Sequence, residues 1–550
     1  MNRKFILYCI SAIFLFFCLS WLSNYPKLYS YPPANTLIKI YFEFKNTIYD
    51  FKQIIKIHRI GKDEYIKRAL NSQYLIPSYA IDDKNVIETS SLPLLRKNLY
   101  LGCYKNYPRE GGALGIMDNT LVIMDKIGSF YVIKDDCVKK LDLPGIPNQI
   151  EDFILYSRYR SFDGGSLRAH SFAYDKRTSQ LYVAYQKYID KSTTKLTISS
   201  LKLDKFSAVP GASWHDVWIG DPELAVNQSH ASGGKLILDG NSLFLSTGSG
   251  PEFFENGKLK SNAQNLQSTM GKIIKINLAN KKSEIFSMGH RNPQGLVSFS
   301  GNQLMEVEHG PQGGDEINLV VEGGNYGWPY ATFGTDYGKY SAPFESINKP
   351  LIKGILPIFS YVPSVGISSI TFVDGFHKKW NGNFLIGSLK AQSIFNIKYE
   401  LGRVIYSEPI WLGSRIRDLI VFNGKIYLLT EDGYLSSLIP SIAILEKNQK
   451  GDGLKALSKV IEPCIKCHSF SQSNLTNAAP SLANIYNREI ASDIFEHYSI
   501  ALKNKKGNWT ETNLKEFISN PESFSPGTSM PNLHLNESEV SAIVKFLKSN

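Results

Sequence analysis

At 550 residues, 43% of them hydrophobic and 20% charged, the chain is too long for one ordinary domain and too apolar for a disordered one. Its formal net charge of +11 comes from scattered lysines with no nucleic-acid-binding motif among them, which describes a solvated basic surface and excludes a nucleic-acid partner. Aromatic residues make up 12% of the chain, with 30 Tyr and 30 Phe, a composition that favours strands.

The first element follows Arg3 and Lys4: an apolar run from Phe5 to Leu22, about the length that crosses a bilayer core. The bulky "SWLSNYPKLY" after it offers no small-residue cleavage site, so residues 1–27 are expected to form an uncleaved membrane anchor. Lys27 and Lys39 balance Arg3 and Lys4, and the charges alone leave its orientation open. Residues 28–94, with basic and aromatic stretches such as "IYDFKQIIKIHRI", read as a connector without an assignable function. Of six cysteines, Cys9 and Cys18 lie in the anchor and Cys464 and Cys467 in "CIKCH". Cys103 and Cys137 remain, candidates for a disulfide in an oxidising compartment, although spacing does not show that they pair.

Between residues 95 and 445 no long helical periodicity occurs. A unit of strand, tight polar turn and strand recurs instead, with turns at Asn119, Gln180, Asn241, Asn302, Gly382 and Asn423; the first four stand 61 residues apart. Six such units indicate radial repetition, an all-β six-bladed propeller. If the blades are equivalent, the open ends of all six hairpins share one face. The residues there are His170; Ser229, His230 and Gly248; Arg291, Asn292, His309, Gly310 and Pro311; Lys390; and Arg415 with Arg417. Each alone has a dull explanation as a turn former or a solvated strand end. Together they put cations and imidazoles around one mouth. Lys390, Arg415 and Arg417 suit a small polyanion, carbonyls of "HGPQGG" suit calcium, Arg291 suits a developing negative charge, and a histidine suits proton removal from a hydroxyl. That set describes oxidation of an alcohol by a bound organic cofactor.

"GHRNPQGL" at 289–296 and "EHGPQGGDEINLVVEGGNYGWP" at 308–329 resemble the soluble glucose and aldose sugar dehydrogenases, the glucose/sorbosone dehydrogenase family. The resemblance covers roughly 95–440. It implies a six-bladed propeller that binds pyrroloquinoline quinone (PQQ) and calcium and oxidises an aldose or related polyol. By position it implies His230 as general base and Arg291 over the reacting carbonyl, with Asn292 and Ser229 beside them. Lys390, Arg415 and Arg417 then clasp the cofactor's carboxylates, main-chain oxygens of Gly310 and Pro311 hold its calcium, and Glu316 with the Tyr326 main chain forms a second calcium site. Two departures stand out: "HASGGKL" is one residue longer than the family pattern and has Lys235 for its arginine, and Ser229 replaces an acidic residue.

The last segment, 452–550, carries the haem c attachment signature "CIKCH": two thioether cysteines, Cys464 and Cys467, and an iron ligand, His468. No second cysteine pair completes a zinc site. "NWTETNLKEFISNPESFSPGTSMPNL" resembles the end of class I cytochromes c, which implies Met530 as the second iron ligand and Pro480 as support for His468. A small all-α cytochrome c domain is expected there. Haem c is attached outside the cytoplasm, so the expected whole is a quinohaemoprotein dehydrogenase anchored in a bacterial inner membrane with its catalytic domains in the periplasm. It would take a sugar as substrate and a soluble cytochrome, an oxidase or a quinone as downstream acceptor. The alternative is a non-catalytic propeller, a binding module or docking domain, on a haem c electron carrier.

Overall fold

The computed structural model describes residues 57–71, most of 85–441 and most of 479–549, with a few placed positions between, Cys464 and His468 among them. The expected anchor at 1–27 lies outside the described residues, as do Cys103, Ser229, His230 and Cys467. Among the described residues no helix is long and apolar enough to cross a membrane.

Six sheets carry the central part, antiparallel except for a short parallel pairing of Ser287 and Met288 with Gly324 and Asn325 at the edge of the third. Their inner strands are Ala113–Met117, Ala169–Asp175, Gly233–Asp239, Pro293–Phe299, Ile367–Phe372 and Ile416–Phe422. Each inner strand touches the next, and the sixth touches the first, so the sheets close into a six-bladed propeller. All six expected turns join an inner strand to its neighbour in the same blade. The tightest need left-handed backbone: Asp118 and Asn119 have φ of 44° and 59°, and Asn423 and Gly424 have 48° and 70°, conformations that Asn, Asp and Gly adopt at least cost.

Blade 6 combines both ends of the propeller sequence. Its strand Leu435–Pro440 pairs with Leu94–Leu99, and Asn85–Ile87 adds an outermost strand. The sixth blade therefore draws on the segment before residue 95, because ring closure needs a strand from the start of the sheet region to pair with its end. Helix Lys62–Asn71 touches helix Ile150–Tyr156 between blades 1 and 2.

The core is a set of wedges, one between each pair of neighbouring blades. Phe130, Phe172 and Leu181 fill the first-to-second wedge, Leu196, Leu236 and Ile274 the next, and Leu114, Tyr131 and Leu429 the one that closes the ring. Both faces of a middle strand are thus buried. That is why "TLVIM" and "FLIGS" read as continuous apolar runs rather than alternating ones.

The C-terminal part is helical, with Ile500–Asn504, Glu511–Ser519, Pro521–Phe524 and Glu537–Ser549 around Trp509, Leu514, Ile518, Val540 and Val544. Thr510 caps the second of these helices by accepting from the Asn513 amide, and Asn520 with Pro521 restarts the chain as the third.

Candidate functional site

The structure brings the expected mouth residues of blades 2, 4 and 6 together. Arg291 stands just before the inner strand of blade 4. Its backbone amide donates to Glu308 Oε2 at 2.5 Å, and its guanidinium donates to the His309 and Gly310 carbonyls at 3.0 and 2.8 Å while lying 5.1 Å from the Trp328 ring centre. Trp328 is fixed in turn by donating to Glu252 at 2.6 Å. Asn292 is buried, and its Oδ1 accepts from the Gly233 amide of blade 3 at 3.3 Å. That bond ties the blade 4 loop to the strand that follows residues 229–230.

His170 reaches the same place from blade 2. Its ring shares a hydrogen bond with Ser232 at 3.2 Å and packs so closely on Gly234 that a Cβ there would stand 2.4 Å from it. Burial, then the charges of Arg168 and Arg417, hold the His170 imidazole well below its usual pKa. Burial likewise takes His309 down to about 4, against the pull of Asp315 and with the push of Arg291 and Arg417. Both imidazoles are therefore neutral near pH 7. The influence of Arg417 on both places blade 6 at the mouth with blades 2 and 4. Arg417 and Arg415 both bind Glu431, so the expected cation pair comes with a carboxylate of its own. Lys390 is exposed.

Asp315 organises the loops around Lys390. One carboxylate oxygen accepts from the Gly310 amide at 3.1 Å and the Ser364 hydroxyl at 2.9 Å. The other accepts from the amides of Val365, Gly366 and Ile367 at 3.0, 2.7 and 3.2 Å. The Lys390 amide donates to Val365 O at 3.1 Å. One buried acid thus holds the "HGPQGG" turn and the segment under Lys390. Gly310 is required there, since a Cβ would meet the Gly313 carbonyl at 2.2 Å.

A cavity behind this turn is lined by Arg291, Glu308, Gly310, Glu316 and Tyr326. Burial, then the neighbouring Glu308, pushes the Glu316 carboxyl up to about 8. Crowded buried carboxylates of this kind are relieved by a bound cation.

In the C-terminal part, Cys464, His468, Pro480, Trp509 and Met530 line one crevice of about 1170 Å³, its open mouth included. His468 lies one helical turn after Cys464, with its amide donating to the Cys464 carbonyl at 3.0 Å. His468 Nδ1 stands 2.8 Å from Pro480 O. A carbonyl can only accept, so Nδ1 carries the proton and Nε2 is left as a ligand. Burial lowers the His468 pKa, which keeps that nitrogen unprotonated.

The family model described as Glucose / Sorbosone dehydrogenase matches residues 112–437. The chain belongs to the glucose/sorbosone dehydrogenase family. The aldose sugar dehydrogenase of Escherichia coli K12 is 33% identical over 224 residues, 36% of this chain and 57% of that protein. Quinoprotein glucose dehydrogenase B of Acinetobacter calcoaceticus is 36% identical over 146 residues, 24% of this chain and 28% of its own. The chain therefore spans little more than half of one relative and under a third of the other. The crystal structure of the E. coli soluble aldose sugar dehydrogenase in its apo form superposes with a TM-score of 0.52 at 22% identity, covering 63% of this chain and 99% of that one, which shows the shared propeller. Cytochrome c2 of Afifella marina is 32% identical over 105 residues, 18% of this chain and 85% of its own length. The C-terminal part is a cytochrome c homologue.

The cofactors implied for a glucose/sorbosone dehydrogenase can be tested against the side chains. Arg291 Nε is buried at the mouth with no hydrogen-bond partner, a donor suited to an anionic quinone. The oxygens of Glu308 and Glu316 beside Tyr326 suit calcium. At Gly310 the carbonyl already accepts from Arg291, so calcium there would share that oxygen's second lone pair. The cytochrome crevice fits haem c, with His468 and Met530 lining one cavity. Sequence reasoning missed Asp315, Trp328, Glu252 and Glu431. Asp315 sits beside Glu316 within the quoted motif, and two glycines followed by an acid were the available signal. Trp328 also lies within the quoted motif, just before Pro329, whereas nothing in the sequence marked Glu252 or Glu431.

Proposed function

We propose that the propeller mouth binds PQQ and calcium and oxidises an aldose or a related polyol, with the electrons passing to haem c in the C-terminal domain and from there to a respiratory acceptor. The observation that carries this reading is the convergence of Arg291, Asn292, His170, His309 and Arg417 from three blades on one mouth, in a sugar dehydrogenase family chain joined to a cytochrome c homologue. PQQ bound there supplies the two-electron oxidant. Lys390, Arg415 and Arg417 would hold its carboxylates, and Arg291, packed beside Trp328, would face the oxygen on which negative charge develops. His230 removes the hydroxyl proton, with Ser229 and Asn292 beside it. The neutral imidazoles of His170 and His309 keep further positive charge out of a mouth already lined by arginines. Calcium is held at the Gly310 and Pro311 carbonyls and, separately, between Glu316 and the Tyr326 main chain. In the cytochrome domain Cys464 and Cys467 attach the haem, and His468 and Met530 ligate its iron. Residues 1–27 anchor the protein in a bacterial inner membrane, with both domains in the periplasm. Joining acceptor to dehydrogenase raises its effective concentration.

The test is optical. The haem-bearing protein, oxidised and supplied with calcium and PQQ, is mixed with a panel of aldoses while the haem α-band is followed. Reduction that requires both PQQ and sugar, and is lost in His230→Ala and Arg291→Ala, is the expected result. Failure to bind PQQ at all would leave a binding propeller beside a working cytochrome.

A further inference from the structure

Blade 4 carries a second set of metal-ligating groups, behind the mouth and away from solvent. On strand Gln303–Glu308, Glu306 and Glu308 point to the same face. On strand Asp315–Val320 they stand directly opposite Asn318 and Glu316. Three carboxylates therefore share one buried face, which is unfavourable without a compensating charge. Asn318 Nδ2 lies among them, 3.0 Å from Glu306 Oε2 and 3.4 Å from both Glu308 Oε1 and Glu316 Oε2.

His290 closes the group from the other side. Its ring is fully buried, stacked on Tyr326 with centroids 4.6 Å apart, and its Nε2 shares a 2.8 Å hydrogen bond with Ser287. Nδ1 faces the two acids, 3.7 Å from Glu308 Oε1 and 3.9 Å from Glu306 Oε2. Those separations are too long for hydrogen bonds. If Nε2 carries the proton, a lone pair faces two carboxylates; if Nδ1 carries it, that proton has no acceptor in range. His290 Nδ1, Glu306 Oε1 and Asn318 Oδ1 are all buried without a hydrogen-bond partner. Ligand oxygens and nitrogens about 2.1 Å from one ion stand roughly 3.4 Å apart at the tetrahedral angle. His290 Nδ1, at 3.7 and 3.9 Å from the two carboxylate oxygens, needs to approach each by only a few tenths of an ångström, and the His290, Glu306 and Glu308 atoms all lie within 4.8 Å of one another.

We propose that His290, Glu306 and Glu308 bind a structural divalent transition metal, zinc or manganese, with Asn318 supplying its amide oxygen after an amide flip. Glu308 borders both this centre and the neighbouring Glu316–Tyr326 pair, and the imidazole distinguishes them. The donors at Glu316 and Tyr326 are oxygens, whereas a histidine nitrogen is a ligand for first-row transition metals, with zinc and manganese among those that also accept carboxylates. The ion joins the residue before Arg291 to the strand ending in Glu308, whose other carboxylate oxygen holds the Arg291 and Asn292 amides. It therefore acts as a brace behind the mouth, whatever ligand the mouth takes.

Elemental analysis tests this on the full chain with haem attached, dialysed in metal-free buffer containing excess calcium so that oxygen-only sites are filled. About one zinc or manganese per chain, counted apart from haem iron, is expected, with at least a tenfold loss in Glu306→Gln. Chelator-stripped wild type should regain part of its thermal stability with calcium and the remainder only when zinc or manganese is added, which keeps the test decisive if the variant fails to fold. No transition metal beyond haem iron, a Glu306→Gln protein that keeps it, or full recovery on calcium alone would overturn the assignment.

Discussion

Lys235 offers the sharpest test of how the ring is held. It sits on the inner strand of blade 3, and its ammonium reaches Asp418 on the inner strand of blade 6 at 3.1 and 3.2 Å. Blades 3 and 6 are opposite in a ring of six, so this pair spans the central channel. Asp418 also accepts from the Leu114 amide of blade 1 at 2.9 Å. Side-chain exposure is 17% for the lysine and 6% for the aspartate, which removes most solvent screening. At 3.1 Å and an effective dielectric constant near 20, the gross attraction is about 5 kcal/mol, and desolvation offsets much of it. Lys235→Met leaves Asp418 buried with backbone donors only, and we expect a loss of about 3 kcal/mol in denaturant unfolding of the propeller. In the double variant Lys235→Met/Asp418→Asn, which keeps an acceptor for Leu114, the loss should shrink to about 1 kcal/mol, a recovery of roughly 2 kcal/mol, and the Asp418→Asn single variant completes the cycle that gives the coupling. Single and double variants that lose equal stability, or a Lys235→Met cost below about 0.5 kcal/mol, would show a solvated pair that braces nothing.

Asp315→Ala orphans five donors, Gly310, Ser364, Val365, Gly366 and Ile367. It should cost about 4 kcal/mol and weaken PQQ binding at Lys390, with Asp315→Asn intermediate in both denaturation and titration. Glu316, raised to about 8 by burial and by Glu308, binds its proton more tightly in the folded than in the unfolded chain. Stability of calcium-free protein should therefore fall as pH rises from about 4.5 to 8, and saturating calcium should flatten that slope in thermal scans. Met530→Ala should lower the haem reduction potential by on the order of 100 mV, a fraction of the range that axial ligands command, while leaving Cys464 attachment intact by mass.

Periodic turns made the propeller legible. Asn119 and Asn423 mark left-handed positions that few residues tolerate, and each announces a hairpin without reference to anything distant. The mouth was legible for a related reason: equivalent hairpins have equivalent open ends, so Arg291 and Arg417 could be placed on one face although 126 positions separate them. Partners were not legible. Glu431 neutralising two arginines, Glu252 fixing Trp328, and Lys235 crossing the channel depend on which blades face each other and on side-chain reach, and neither leaves a local pattern. The cytochrome part was legible through "CIKCH", whose chemistry fixes its spacing, and the Pro480 bond to His468 follows once the crevice forms.

The wedge-built core explains why several mouth residues lean on neighbouring blades as well as on their own, where Arg291 leans on Glu308 and Arg417 on Glu431. A propeller has no single core behind its mouth; beyond its own sheet, each blade end is held mainly by its two neighbours. Asn292 of blade 4 accepts from Gly233 of blade 3, Asp315 of blade 4 holds the loop that opens blade 5, and Ser232 of blade 3 bonds His170 of blade 2. The mouth geometry is therefore a property of the closed ring. A cofactor that touches three blades gains affinity from ring closure and returns it as stability. Loosening one inter-blade contact should then weaken cofactor binding even where the altered residue lies far from the cofactor, and Asp315 lies where that coupling is strongest.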